Sequence, residues 1–143
     1  MSRTLVQVQK LYDDAILPLQ AYEDDAGWDL HVHHETWVTA YGWQDIATGV
    51  ALAIPPGHYG RVVGRSSALR KRGLLVVEGI IDAGYRGEQM VCVYNLTGER
   101  VFLSKGDSLG QLIVSPIPQV DWVEVEELTP AARGMSGYGS SGR

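Results

Sequence analysis

The stretch GIIDAGYRGE, Gly79 to Glu88, sets one acid, Asp82, beside Gly84, Tyr85, Arg86 and Gly87. It lies between two apolar runs, LLVV (Leu74–Val77) and MVCVY (Met90–Tyr94). A tight hairpin between strands normally carries small polar turn residues. An acid, an aromatic ring and a guanidinium suit a site better. Two further islands share this character: GRSSALRKRG (Gly64–Gly73) and RGMSGYGSSGR (Arg133–Arg143). Each joins arginine, small hydroxyls and glycine, the residue types that hold phosphate oxygens. Arg65 offers a fork of donors that fits phosphate through two parallel bonds, and Ser66 and Ser67 follow it. The plainer alternative is a polar turn ahead of a short helix with serine as its N-cap. Asp82 is a candidate general base if held near the proton it removes; its plainer role is a hairpin aspartate bonded to its own backbone. Asp29 follows the acidic pair Asp24 and Asp25. Acids near phosphate binders suggest a hydrated Mg²⁺, held partly by the substrate's own phosphates, against the simpler reading of surface acids.

Other reactive residue types are read as structural. His31, His33 and His34 have no cysteine or fourth histidine at ligand spacing and are expected at the surface or a sheet edge. Cys92, mid-strand in an apolar run, is expected to be buried and inert. Arg70, Lys71 and Arg72 form a basic run expected on a solvated face. The four tryptophans are expected in the core and at interfaces.

Positioning these islands requires a framework, and the rest of the chain supplies one. Its 143 residues suit one domain. Hydrophobic residues make up 45%, enough for a core. The formal charge of −5 argues against a broad nucleic-acid surface but not against a small anion. A lone cysteine allows no internal disulfide. The first residues lack the apolar core of a signal peptide, and no run approaches the ~18 apolar residues of a membrane span. No membrane or nucleic-acid partner is therefore expected, and the expected location is the cytoplasm (the host's, were the source viral). Short apolar runs alternate with turn signals: LVQVQKL, GWDLHVH, WVTAYGW, GVALAI, YGRVVG, LLVV, MVCVYNL, RVFLS, LGQLIVSPI and VDWVEV. This pattern predicts an all-β sandwich or barrel. PPG at 55–57 and KGD at 105–107 read as turns, and SSALRKRG as a turn at most. From Thr129 the chain has almost nothing to bury. Residues 1–128 are read as the β domain and 129–143 as a flexible Gly/Ser-rich arm, one that orders on a ligand.

The islands, in this order, resemble the trimeric dUTPase (dUTP pyrophosphatase) family. Motif one is AGWDL (Ala26–Leu30), with Trp28 where the family usually has Tyr. Motif two is GRSSALRKRG, with Gly64 where the family often has Pro. Motif three is GIIDAGYRGE, motif four KGDSLGQLIV (Lys105–Val114) and motif five RGMSGYGSSG (Arg133–Gly142). Together they span Ala26 to Gly142, and the linker TGVALAIPPGHYG (Thr48–Gly60) also reads as the family does. The span from Gly73 to Asp82 is shorter than the commoner family form, which has an Asn and a Pro in the hairpin; here Glu78 stands instead.

The resemblance implies a β jelly roll that forms a homotrimer with active sites shared between subunits. It implies hydrolysis of dUTP to dUMP and diphosphate with Mg²⁺. Asp82 would orient and deprotonate the attacking water. Tyr85 would pack under the deoxyribose. Backbone around Ile80, Ile81 and Asp82, and near Met90, would read the uracil edge, with Glu78 close by. Arg65, Ser66, Ser67 and Gln111 would hold the phosphates, with Arg65 and Ser66 serving catalysis as well. Asp29 would reach Mg²⁺ through its waters. Arg133, Tyr138, Gly139, Ser140 and Ser141 of the arm would close over the nucleotide, Tyr138 stacking on the base. Two alternatives stand beside this reading. A dCTP deaminase, or a bifunctional enzyme, shares the fold but needs a glutamate on the strand after the hairpin, where Cys92 stands. A regulatory protein-binding module on the same fold is the other.

Overall fold

A computed structural model describes residues 3–137 and 139. Alternating apolar and polar residues set the strands. In Glu88–Asn95, Gln89, Val91, Val93 and Asn95 turn inward while Met90, Cys92 and Tyr94 turn outward, the period of two that a half-buried strand requires. The elements in chain order are β1 (Gln7–Lys10), β2 (Trp28–His31), β3 (Thr36–Val38), β4 (Trp43–Ala53), β5 (His58–Gly64), α1 (Ser66–Arg72), β6 (Leu74–Val76), β7 (Gly79–Ile81), β8 (Glu88–Asn95), β9 (Val101–Leu103) and β10 (Ser108–Pro116). They build two four-stranded sheets, β1-β4-β8-β6 and β2-β10-β5-β7, and a two-stranded ribbon, β3-β9. Every pairing is antiparallel. The architecture is the all-β jelly-roll type expected.

One apolar cluster joins the layers. Ile46, Val91 and Val93 come from the first sheet, Leu30, Val62 and Leu112 from the second, and Val38 and Leu103 from the ribbon. Burying side chains of this kind contributes on the order of 1.5–3 kcal/mol each. The buried Asn95 is fully engaged. Its Nδ2 donates to the carbonyls of Val38 (3.1 Å) and Glu99 (2.8 Å), and its Oδ1 accepts from the backbone N–H (2.9 Å) and the hydroxyl (2.8 Å) of Thr97. A buried amide with all these partners fixes the β8–β9 turn against the ribbon.

Several expectations change. Ser66–Arg72 is a helix, not a turn at most; Gly73 closes it in the left-handed conformation (φ 65°), where a side chain would be strained. Arg72 is not simply solvated: its Nη1 donates to Asp107 at 2.9 Å and its Nη2 to the carbonyl of Phe102. No tryptophan lies in the core; Trp28, Trp37, Trp43 and Trp122 are all exposed. Arg100 caps the Trp37 ring at 3.9 Å, a cation–π contact. The run at 120–125, read as strand-like, forms no strand. The last strand ends at Pro116, and beyond it Val120, Trp122, Val123 and Leu128 face solvent. Alternation makes a strand only where a neighbour supplies hydrogen bonds.

Candidate functional site

The register of β10 gathers three of the islands. Gln111 pairs with Asp29 of β2 on one side and with Val63 of β5 on the other. Motifs one, two and four therefore meet at one end of the second sheet. Gln111 Nε2 donates to the Gly64 carbonyl at 3.2 Å. Its side chain lies so close over Gly27 that an added Cβ would come within 2.2 Å of Oε1. A residue other than glycine there would push the amide away. Arg65 Nε stands 3.3 Å from Asp29 Oδ1, with 38% and 22% of the two side chains exposed. That single contact orients the guanidinium and leaves its outer nitrogens open. Arg65, not a serine, occupies the N-cap position of α1, and its side chain does not cap the helix. Ser66 and Ser67 open the first turn, and their hydroxyls have no hydrogen-bond partner among the described residues. A pocket of about 300 Å³ opens here, bounded by Gly64, Arg65, Ser66, Leu69 and Leu75.

His31, expected at a surface or edge, sits beside this pair. Burial pushes its imidazole below the usual histidine range; the Asp29 charge opposes this and the Arg65 charge adds to it. Its Nδ1 is enclosed and unpaired among the described residues. The signal for it was parity, since His31 lies two residues from Asp29 on β2 and so shares its face.

Motif three is not the hairpin expected: β7 pairs with β5 in the second sheet and β8 with β4 and β6 in the first, so the segment Asp82–Gly87 is a loop that crosses between the sheets. The Tyr85 N–H donates to the Asp82 carbonyl at 3.1 Å, closing a turn. Arg86 Nη1 donates to the Ala83 carbonyl at 2.6 Å and holds the turn from outside. The Tyr85 side chain packs close against Gly87, where a Cβ would stand 2.4 Å from the phenol oxygen, and its hydroxyl donates to the Glu88 carbonyl at 2.9 Å. Glu88 Oε2 accepts the Gly49 N–H at 2.8 Å, anchoring the end of the motif-three loop to β4. All these bonds spare the Asp82 carboxylate, which is exposed and unpaired among the described residues. Ile80 and Met90 are exposed, whereas the Ile81 side chain is buried. Glu78 forms an ion pair with Arg61, Oε1 lying 3.0 Å from Nε without hydrogen-bond geometry.

The two clusters do not meet within one chain. Ile81 pairs with Gly60, near the start of β5, whereas Arg65 follows the end of β5. The five steps from Gly60 to Arg65 span roughly 17 Å at ~3.3 Å per residue, and Asp82 lies beyond Ile81 on the far side. The arm residue Arg133 bonds its own turn through the Ser136 carbonyl, and Arg133 and Gly139 are exposed. Tyr138, Ser140 and Ser141 lie outside the described residues.

His33 also departs from expectation: it is buried. It stacks on Tyr12 with ring centroids 4.3 Å apart, and its Nε2 lies 3.0 Å from Asp14 Oδ1 and its Nδ1 3.3 Å from His34 Nε2. Lys105 binds the other Asp14 oxygen. The Lys105 bond, then the His33 bond, hold the Asp14 carboxyl far below the ordinary carboxylate value of 3.8. A carboxyl depressed in the fold stabilises above its unfolded pKa and loses that stabilisation as pH falls through the folded one. The melting temperature of Asp14→Asn is therefore expected below wild type at pH 6, with the gap narrowing as pH falls below about 4. A pH-independent gap would show that the charge is irrelevant.

Cys92 is half-buried on the outward face of β8, not in the core. Burial first, then the Asp45 carboxylate across from it on β4, push its thiol above the usual range. An inert thiol on this side of the sheet does not stand in for the glutamate that deamination needs.

A dUTPase family model matches residues 13–142. The deoxyuridine 5'-triphosphate nucleotidohydrolase of Corynebacterium glutamicum is 38% identical over 141 residues, covering 96% of this chain and 95% of that one. A mutant dUTPase of Staphylococcus bacteriophage 80alpha, solved with dUpNHpp, superposes with a TM-score of 0.87 at 28% identity, over 97% of this chain and 99% of that chain. A mutant dUTPase of phage phi11, whose structure shows the coordination of a structural Mg(II) ion, gives a TM-score of 0.79 at 28% identity, over 86% of this chain and 97% of that chain. With a family model that matches residues 13–142, nearly its whole length, the chain belongs to the dUTPase family.

Proposed function

We propose that this chain hydrolyses dUTP to dUMP and diphosphate in the cytoplasm, at sites shared between the subunits of a homotrimer. The observation that carries the shared site is the separation along β5. An arginine–serine cradle at one end and an unengaged carboxylate beyond the other cannot serve one triphosphate within one chain. A second copy removes the difficulty.

In this reading Arg65, Ser66, Ser67 and Gln111 bind the phosphates, with the outer guanidinium nitrogens and the free hydroxyls turned to their oxygens. The partner copy's motif-three loop brings Asp82 to the α-phosphorus. Its carboxylate accepts a proton from water as the oxygen attacks; the bond to the bridging oxygen breaks and diphosphate leaves. Tyr85, packed close against Gly87, supports the deoxyribose. Main-chain groups at Ile80, Ile81 and Asp82, and the Met90 region, read the uracil edge, while Glu78, engaged by Arg61, borders them. Arg133, Tyr138, Gly139, Ser140 and Ser141 of the 129–143 arm close the site.

The residues fit a water-clad Mg²⁺ better than a caged one. Among the described residues no three His, Cys, Asp or Glu converge as a metal set. Asp29 has one carboxylate oxygen engaged by Arg65, leaving the other for a metal-bound water. Mg²⁺ bound to the phosphates would neutralise charge as the leaving group departs.

The test offers dUTP, dCTP, dTTP and UTP separately, with Mg²⁺, and measures diphosphate and ammonia. Diphosphate from dUTP, little from the others, no ammonia from dCTP and loss of turnover with a chelator are expected. Ammonia from dCTP, or equal turnover of UTP, would overturn this assignment.

A further inference from the structure

Strand β8 begins at Glu88, where the motif-three loop ends, and it begins opposite a bulge. Ala47 of β4 pairs with Met90 and Ala51 with Glu88, so Thr48, Gly49 and Val50 stand against Gln89 alone. A bulge interrupts the ladder and leaves main-chain groups in need of other partners. Side chains supply them here. The buried Thr48 hydroxyl donates to the Gln89 carbonyl at 2.6 Å, and the Glu88 carboxylate accepts the Gly49 N–H at 2.8 Å. Gly49 takes the left-handed conformation, φ 76°, that glycine adopts at no steric cost. It has no room to shift. Its carbonyl accepts the Leu11 N–H at 2.8 Å, and a Cβ added to it would meet the His33 ring at 2.8 Å and Ala15 at 3.1 Å. Glu88 is thereby tied, through a charge-assisted bond, to a main-chain N–H that its neighbours hold in place.

The same residue also meets the motif-three loop. The Glu88 carbonyl accepts the Tyr85 hydroxyl, and the Tyr85 N–H closes the turn at Asp82. A short path of hydrogen bonds thus runs from β4 through Gly49, the Glu88 carboxylate, the Glu88 carbonyl and the Tyr85 phenol to the turn that presents Asp82. The Tyr85 side chain is exposed, so this bond and its contact with Gly87 are what hold it. We propose that Glu88 is a positioning residue: bonded to Gly49, it fixes the carbonyl on which the Tyr85 hydroxyl rests, and so sets how close the ring stands to the sugar and how strictly a 2′-hydroxyl is refused. The proposal rests on the dUTP reading above, in which Tyr85 supports the deoxyribose. Glu88 touches neither substrate nor attacking water in that reading; it acts through Tyr85. A ribonucleotide differs by a single oxygen, and a ring free to retreat by about 1 Å would admit it.

The test measures kcat/KM for dUTP and for UTP, with Mg²⁺, in Glu88→Ala, Glu88→Gln, Tyr85→Phe and the double variant Glu88→Ala/Tyr85→Phe. Glu88→Ala is expected to keep its far-UV circular dichroism, to lose about tenfold with dUTP and to stay near wild type with UTP, so that the preference for dUTP falls about tenfold. Glu88→Gln keeps an oxygen that accepts the Gly49 N–H and is expected to retain the preference. Tyr85→Phe removes the phenol that rests on Glu88 and is expected to lose the same preference. The double variant is expected to lose no more than either single one, since both cut one path. A merely structural glutamate would lower both activities in proportion. Equal losses with dUTP and UTP in Glu88→Ala, a Glu88→Gln enzyme as impaired as Glu88→Ala, or additive losses in the double variant would overturn the role of Glu88 while leaving dUTP hydrolysis standing. Should Glu88→Ala lose its fold, Tyr85→Phe decides, and an unchanged preference there overturns the proposal. A wild-type enzyme that turns over UTP as well as dUTP would instead remove the dUTP reading, and the role of Glu88 with it.

Discussion

Asp82→Asn is expected to bind a non-hydrolysable dUTP analogue as wild type does and to turn over dUTP ~10²-fold or more slowly, the usual scale for losing a general base. The geometry makes the substitution clean. The turn that presents Asp82 is held by the Tyr85 N–H on the Asp82 carbonyl and by Arg86 on the Ala83 carbonyl. Neither bond uses the carboxylate, so an amide of the same shape leaves the turn intact. The side chain is exposed and unpaired among the described residues, so its charge stabilises no neighbour in the isolated chain. What the amide lacks is the capacity to take a proton from the attacking water. Single-turnover rates measured beside analogue affinity separate the two effects. Unchanged turnover would remove Asp82 from the chemistry, and lost affinity with unchanged turnover of bound substrate would make it a binding residue.

What could be read in the sequence follows from which signals are local. The apolar run in Glu88–Asn95 is a local signal, and the strand was legible from it. Strand parity places Cys92 outward between inward Val91 and Val93; apolar neighbours outweighed parity in the reading, and parity was correct. Helix α1 is legible only as an alternative to a turn because seven residues show fewer than two helical turns, too little for a period to emerge. The signal was its end, where Gly73 follows Arg70–Arg72 as a glycine follows a basic last turn. Arg72 and His33 were misplaced because their partners, Asp107 and Asp14, are remote in sequence. The pairing of Asp29 with Arg65 and the closeness of Gln111 to Gly64 come from strand register, which no single segment encodes. The islands carried the chemistry; only the register of β2, β10 and β5 could show which of them share one end of the sheet. The same register shows that motif three does not.

Arg65→Ala is expected to lower kcat/KM for dUTP by ~10²-fold or more, the scale of removing a preorganised donor from developing charge. The fold should survive, because a partly exposed pair such as Arg65–Asp29 is worth only ~0–1 kcal/mol. More informative is mixing this variant with Asp82→Asn. Each is nearly inactive alone, and each keeps the residue that the other lacks. If cradle and carboxylate came from the same chain, no mixture could assemble a complete site. If they come from neighbouring copies, random co-assembly of equal amounts makes about a quarter of the sites whole, since each site then needs an intact cradle from one copy and an intact carboxylate from the next. Co-refolded mixtures are therefore expected to recover about a quarter of wild-type turnover. Activity should vary with the mixing ratio as the product of the two fractions and peak at equal amounts. A mixture no better than its components would place Arg65 and Asp82 in one chain's site, against the distance that β5 imposes between them.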